Sequence, residues 1–139
     1  MNVRSPDLAR DYIARAAVRL KALDVLYDGA SWADVVRESQ EIVELTLKAL
    51  LRISGVDPPR VYDVSGVLLS ERARLPQALA PEIDQLAEVS RQLRRDRELA
   101  FYGAEDLTPS GFYSQADAER ARASARRTVE LVRPHVSES

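Results

Sequence analysis

With 139 residues, 45% of them hydrophobic and 30% charged, the chain is sized and composed for one compact domain over 1–139, and is too apolar to stay disordered. It has no Cys and a single His, His135, which excludes disulfides, thiolate metal sites, cysteine nucleophiles and any centre built on two imidazoles; neither a metal nor a cofactor is expected. The net charge of −2 exerts no global pull on nucleic acid or membrane, no run approaches the ~18 apolar residues of a membrane span, and the first twelve residues lack the apolar core of a signal peptide, so a cytoplasmic chain without membrane contact is expected.

Helical spacing runs through almost the whole chain. Ser5-Pro6-Asp7 opens a helix with a capping hydroxyl, a proline at the first helical position and an acid at the positive end of the dipole. Leu8, Tyr12, Ala16, Arg19/Leu20, Leu23 and Tyr27 then recur at three- and four-residue spacing until Asp28-Gly29. Ser31-Trp32-Ala33-Asp34, close to a capping box, starts a second helix with the stripe Val35/Val36, Ser39, Val43, Leu47 and Leu50/Leu51, stopped by Gly55 and Pro58-Pro59. So short a connection requires an antiparallel hairpin. From Val61 to Leu79 the pattern supports one short helix around Val64, Val67, Leu68 and Leu69, broken by Pro76. Pro81 opens the next long helix, with Ile83, Leu86, Val89/Ser90, Leu93 and Ala100 as its stripe and Gly103 as its end. After a loop from Ala104 to Phe112, Ser114-Gln115-Ala116-Asp117 caps a last helix running to about Val132, whose inner face is Ala118, Ala121, Ala125, Val129 and Val132. Strand alternation, repeats and low-complexity tracts are absent, so the fold class is all-α: four long helices and a short one.

Two polar features stand out. Gln40, Glu44 and Lys48 lie at i, i+4 and i+8 on the second helix and border its apolar stripe, whereas an exposed Glu–Lys pair of this kind is worth only a few tenths of a kcal/mol. The run Arg91-Gln92-Leu93-Arg94-Arg95-Asp96-Arg97-Glu98-Leu99-Ala100-Phe101-Tyr102-Gly103 is rich in guanidinium groups. Counting heptads from Ile83 through Ser90 puts Arg97 where an apolar residue belongs, so its charge requires a partner or a cleft. The expectation is that Arg97 meets Glu44 or the Gln40/Lys48 face. The 18 Arg against two Lys carry little weight alone, because Ala is comparably abundant and a compositional bias explains both.

Taken in order, these segments resemble the HEPN domain. The resemblance rests on Tyr12, Arg19/Leu20 and Tyr27 in the first helix; Ser39-Gln40 through Glu44 to Lys48-Ala49-Leu50-Leu51; Gly55 and Pro58; Tyr62-Asp63-Val64-Ser65-Gly66-Val67-Leu68-Leu69; Arg97 through Gly103; Pro109 and Phe112-Tyr113; and the Ala-rich last helix. It implies an up-and-down four-helix bundle with a short additional helix, a homodimer, and a frequent pairing with a minimal nucleotidyltransferase in prokaryotic toxin–antitoxin systems.

Active members of that family are metal-independent endoribonucleases carrying an Arg, a polar residue and, about four to six residues on, a His. Cleavage through a 2′-hydroxyl needs a group that moves a proton near neutrality and a guanidinium for the charged phosphorane. Here Arg95-Asp96 or Arg97-Glu98 supplies the first part, and Phe101 or Tyr102 stands where the His belongs. Phe cannot transfer a proton, and Tyr, with a reference pKa of about 10, is a poor base. The family's other frequent His corresponds to Tyr62, and His135, at the far end of the last helix, reads as a solvent-exposed terminal residue. The expected function is therefore a dimeric module that binds nucleotide or RNA through Arg91, Arg94, Arg95 and Phe101, or docks a nucleotidyltransferase-type partner, with Gln40, Glu44 and Lys48 in support. The alternative is a ribonuclease toxin using Arg97 and Tyr102. Trp32, Phe101, Tyr102, Phe112 and Tyr113 near helix ends direct the expected dimer interface to the end of the fourth long helix and the loop after it.

Overall fold

The computed structural model describes residues 5–60, 63–102 and 108–137, and the side chains of all of these except 94–102. It contains α1 (Ser5–Asp28), α2 (Trp32–Ile53), α3 (Ser65–Ser70), two 3₁₀ turns (Arg72–Arg74 and Gln77–Glu82), α4 (Ile83–Tyr102), α5 (Pro109–Phe112) and α6 (Gln115–Ser137), with no strand among the described residues. The expected all-α, up-and-down bundle is what forms. Its short α3 covers the predicted 61–79 region, and α5 adds one turn inside the segment read as loop.

The bundle is built around α2, which packs against α1, α4 and α6. Every residue of its predicted stripe is buried, and Ala33, Ile42, Thr46 and Ala49 are buried on its other faces as well. In α6 the small residues Ala118, Ala121 and Ala125 are all buried with Val129 and Val132, allowing a close approach to α2. The α1 stripe is the predicted one at Ala16 and Leu23, which are buried, and lies one position on in the first two turns, where Ala9 and Ile13 are buried and Leu8 and Tyr12 are half-covered. The apolar phase of α1 is ambiguous because Val18 and Val25 on its outer face are exposed at 65% and 72%.

Both helices of the first hairpin end in the same hydrogen-bond pattern. Val56 N–H donates to the Leu51 carbonyl at 2.8 Å and Gly55 N–H to Arg52 at 3.1 Å, with Gly55 left-handed at φ 78°. At the end of α1, Ser31 donates to Leu26 at 3.0 Å and Ala30 to Tyr27 at 2.9 Å, so the left-handed residue is Ala30 (φ 55°), one position beyond the glycine. The predicted caps also resolve differently. Ser114 and Asp117 form a reciprocal box: Ser114 N–H donates to Asp117 Oδ2 at 2.9 Å and Asp117 N–H to Ser114 Oγ at 3.3 Å. Ser31 instead donates its hydroxyl to Asp34 Oδ2 at 2.6 Å and caps no backbone N–H.

Further contacts set the remaining pieces. The Ser90 hydroxyl accepts from Val64 N–H at 3.1 Å and ties α3 to the middle of α4; Arg74 donates to the Gly55 carbonyl at 2.9 Å. At the opposite end of the bundle, the Arg122 guanidinium lies 3.6 Å from the centre of the Tyr27 ring, Trp32 meets that ring edge-on, and Asp24 accepts from Arg122 and Arg126. The last helix passes Val132 and continues to Ser137 with Pro134 inside it, where the proline cannot donate to the Glu130 carbonyl one turn back.

Candidate functional site

Two places deserve a functional reading, and each begins on a helix face. On α2, Gln40, Glu44 and Lys48 stand one turn apart. Lys48 Nζ donates to Glu44 Oε1 at 2.8 Å, and the two side chains are only 15% and 17% exposed, so this is a covered pair rather than a solvated one. Gln40 lies deeper and is fully buried. Neither its amide nitrogen nor its oxygen has a hydrogen-bond partner among the described residues, and Glu44 Oε2 and the Ser39 hydroxyl are buried without one too. A buried amide left unpaired is costly, which sets Gln40 apart from the rest of the core. The expected meeting of this face with Arg97 falls on a side chain outside the described residues.

The second place is a cleft between α4 and α6. Both helices lie on α2, yet they barely touch each other. They run antiparallel: one cavity of about 140 Å³ lies between Leu86 and Leu131, and another of about 160 Å³ lies between Leu93 and Asp117, with Val36 of α2 as floor. Gln85, Val89 and Ser124 line both, so the two form one groove. Gln85 and Gln92, seven residues and about 10.5 Å apart on α4, are exposed along its rim and make no hydrogen bond among the described residues. At one end Arg127 pairs with Glu82 at 3.1 Å; at the other Arg120 pairs with Asp117. Asp117 is held below the usual carboxylate range chiefly by the Ser114 backbone N–H, with smaller help from the Ser114 hydroxyl and Arg120, against slight burial that pushes it up.

Beyond Leu93, α4 continues as helix to Tyr102, in the direction of the first turn of α6. This stretch carries the predicted ligand residues. Arg91 is exposed and paired with Glu88 across one turn. The side chains of Arg94, Arg95, Arg97, Phe101 and Tyr102, like Tyr62, lie outside the described residues. His135 is not the exposed terminal residue expected from its position: it is half-buried within α6. Twenty residues of helix, about 30 Å, separate it from the α6 start toward which the arginine run points. The groove itself went unread in the sequence, because it is a gap set by how α4 and α6 sit on α2.

The fold and this arrangement define an all-α bundle of the HEPN kind, with a central second helix and an arginine-rich extension of the fourth long one. The HEPN domain family matches residues 9–135, and the chain belongs to that family. The crystal structure of an archaeal HEPN homologue has a TM-score of 0.70 to this chain, covering 97% of it and 99% of the homologue at 20% identity, a likeness of fold. Among curated proteins no sequence matches the chain.

Proposed function

We propose that this HEPN protein is a dimeric binding module that holds the phosphates of a nucleotide or of RNA on the arginine-bearing half of α4, without cutting them, and that the same surface docks a nucleotidyltransferase-type partner in a toxin–antitoxin-like pair. The observation that carries the reading is the placement of Arg91, Arg94, Arg95 and Arg97, four guanidinium residues within seven positions, on a helix that runs on past the open groove. Field strength follows local arrangement, so a net charge of −2 does not prevent a positive site there, and guanidinium forks suit phosphate oxygens. Phe101 and Tyr102, at the end of the run, supply rings on which a base stacks. Against cleavage stands the chemistry of the motif: it offers Phe101 or Tyr102 in place of an imidazole, and the chain's one His sits on a different helix about 30 Å of helix away from the α6 start.

The test is retention of labelled single-stranded RNA as a function of salt. Wild-type protein retains RNA at low salt and releases it as salt rises, and the double variant Arg94→Ala, Arg95→Ala lowers the salt slope by about 1.4 if both residues contact phosphate. An unchanged slope, or no retention at low salt, would leave only the partner-docking role.

A further inference from the structure

Among the described residues, the groove between α4 and α6 carries charge only in pairs. Arg120 is bound to Asp117 at one end and Arg127 to Glu82 at the other, so the lining offers no free charge to a phosphate. What it does offer is an apolar floor of Val36, Val89 and Leu93 and, along the α4 rim, the exposed amides of Gln85 and Gln92. Neither amide is hydrogen-bonded among the described residues. The ligand that suits such a lining is flat and uncharged, with apolar faces and a polar edge. A nucleobase has that form.

Size and position narrow the choice. The two cavities of the groove together have about twice the volume of one that accommodates benzene, which is room for a two-ring base. The end lined by Leu93 is the end nearest the arginine run, because Arg94, Arg95 and Arg97 occupy the turn of α4 directly after it. A strand whose phosphates lie on that turn has a base within reach of Gln92. A glutamine amide presents one donor and one acceptor side by side, and adenine answers both at once with N7 and its N6 amine. Guanine presents two acceptors on the same edge, and a one-ring uracil leaves half the groove empty. In duplex RNA that edge lies in a groove too narrow for side chains, so only an unpaired base enters.

Resting on the RNA-binding reading above, we infer that the α4–α6 groove takes one unpaired adenine of a bound single strand, with the Gln92 amide on its N6 amine and N7 and the neighbouring phosphates on the arginine run. The arginines supply affinity without regard to sequence, and the groove adds the preference.

Filter retention at low salt compares a uridine decamer with the same decamer carrying one adenosine at its centre. Wild type binds the adenosine-bearing strand at least about five-fold more tightly, the lower bound for one bidentate base contact. Purine riboside in place of the adenosine lacks the N6 amine and abolishes the preference. So does Gln92→Leu, an exposed substitution whose fold circular dichroism confirms. The double variant Arg94→Ala, Arg95→Ala weakens both decamers by the same factor and keeps their ratio. Equal binding of the two strands by wild type, or a preference that Gln92→Leu leaves intact, overturns the groove assignment and spares the phosphate site. No retention of either strand overturns both.

Discussion

Replacing Gln40 by Met should make this protein more stable. Gln40 is fully buried, and both polar atoms of its amide lack a partner among the described residues. Leaving such a group unpaired in the core costs about 1–3 kcal/mol on protein mutational scales. Met is unbranched and close to Gln in volume, so the swap removes the polar atoms and leaves little cavity; repacking of a volume-conserving change costs under about 1.5 kcal/mol. The net expectation is a gain of about 1 kcal/mol, which for a domain of this size raises Tm by roughly 3–5 °C. Urea titration should show a higher midpoint at unchanged m-value. Gln40→Glu serves as the control, because it buries a charge at the same site and must lose stability. If Gln40→Met instead loses 1 kcal/mol or more, the amide is satisfied in solution, by a buried water or a bound group, and the reasoning from an unpaired amide fails.

Ala30 holds a left-handed backbone that disfavours a Cβ by about 1–2 kcal/mol; set against the greater unfolded-state freedom of glycine, Ala30→Gly should stabilise by about 0.5–1 kcal/mol in the same titration, and a loss would contradict the strain argument. Asp117→Ala removes the carboxylate that accepts from Ser114 N–H and its hydroxyl, while the backbone N–H at 117 keeps Ser114 Oγ, and should cost about 1 kcal/mol. Because the folded carboxyl of Asp117 titrates below its unfolded value, its contribution is complete above about pH 3.9 and is lost as pH falls through the lower folded pKa, so wild type and Asp117→Ala should converge in stability on acidification. His135→Ala should leave RNA retention unchanged, since His135 lies on α6 and outside the arginine run; a change in retention would bring that imidazole into the site.

The fold was legible where a helix had one unambiguous face. In α2 and α6 every residue of the predicted stripes is buried, although α2, being central, also buries Ile42, Thr46 and Ala49 outside its stripe. In α1 the outward Val18 and Val25 blur the phase: Ala16 and Leu23 are buried as read, but the first two turns bury Ala9 and Ile13 in place of Leu8 and Tyr12. The cap motifs were recognisable as motifs, yet which hydroxyl accepts which N–H depends on backbone angles: Ser114 completes its box and Ser31 turns its hydroxyl to Asp34. Of the candidate site, the Gln40–Glu44–Lys48 face was visible from spacing, but its burial was not, since that depends on what the rest of the chain lays over α2. The groove was invisible for a related reason: a gap between α4 and α6 is a property of how both sit on α2, and neither helix records it alone.

The account turns on holding phosphate without breaking it, and one incubation tests that most directly. Purified protein is mixed at low salt with end-labelled single-stranded RNA, with and without divalent metal, and each sample is split between a native gel and a denaturing gel. The expected result is a salt-sensitive shifted band on the native gel and full-length RNA on the denaturing one under both conditions. Metal-independent cutting that disappears in both Arg97→Ala and Tyr102→Phe would contradict it and make the protein a ribonuclease.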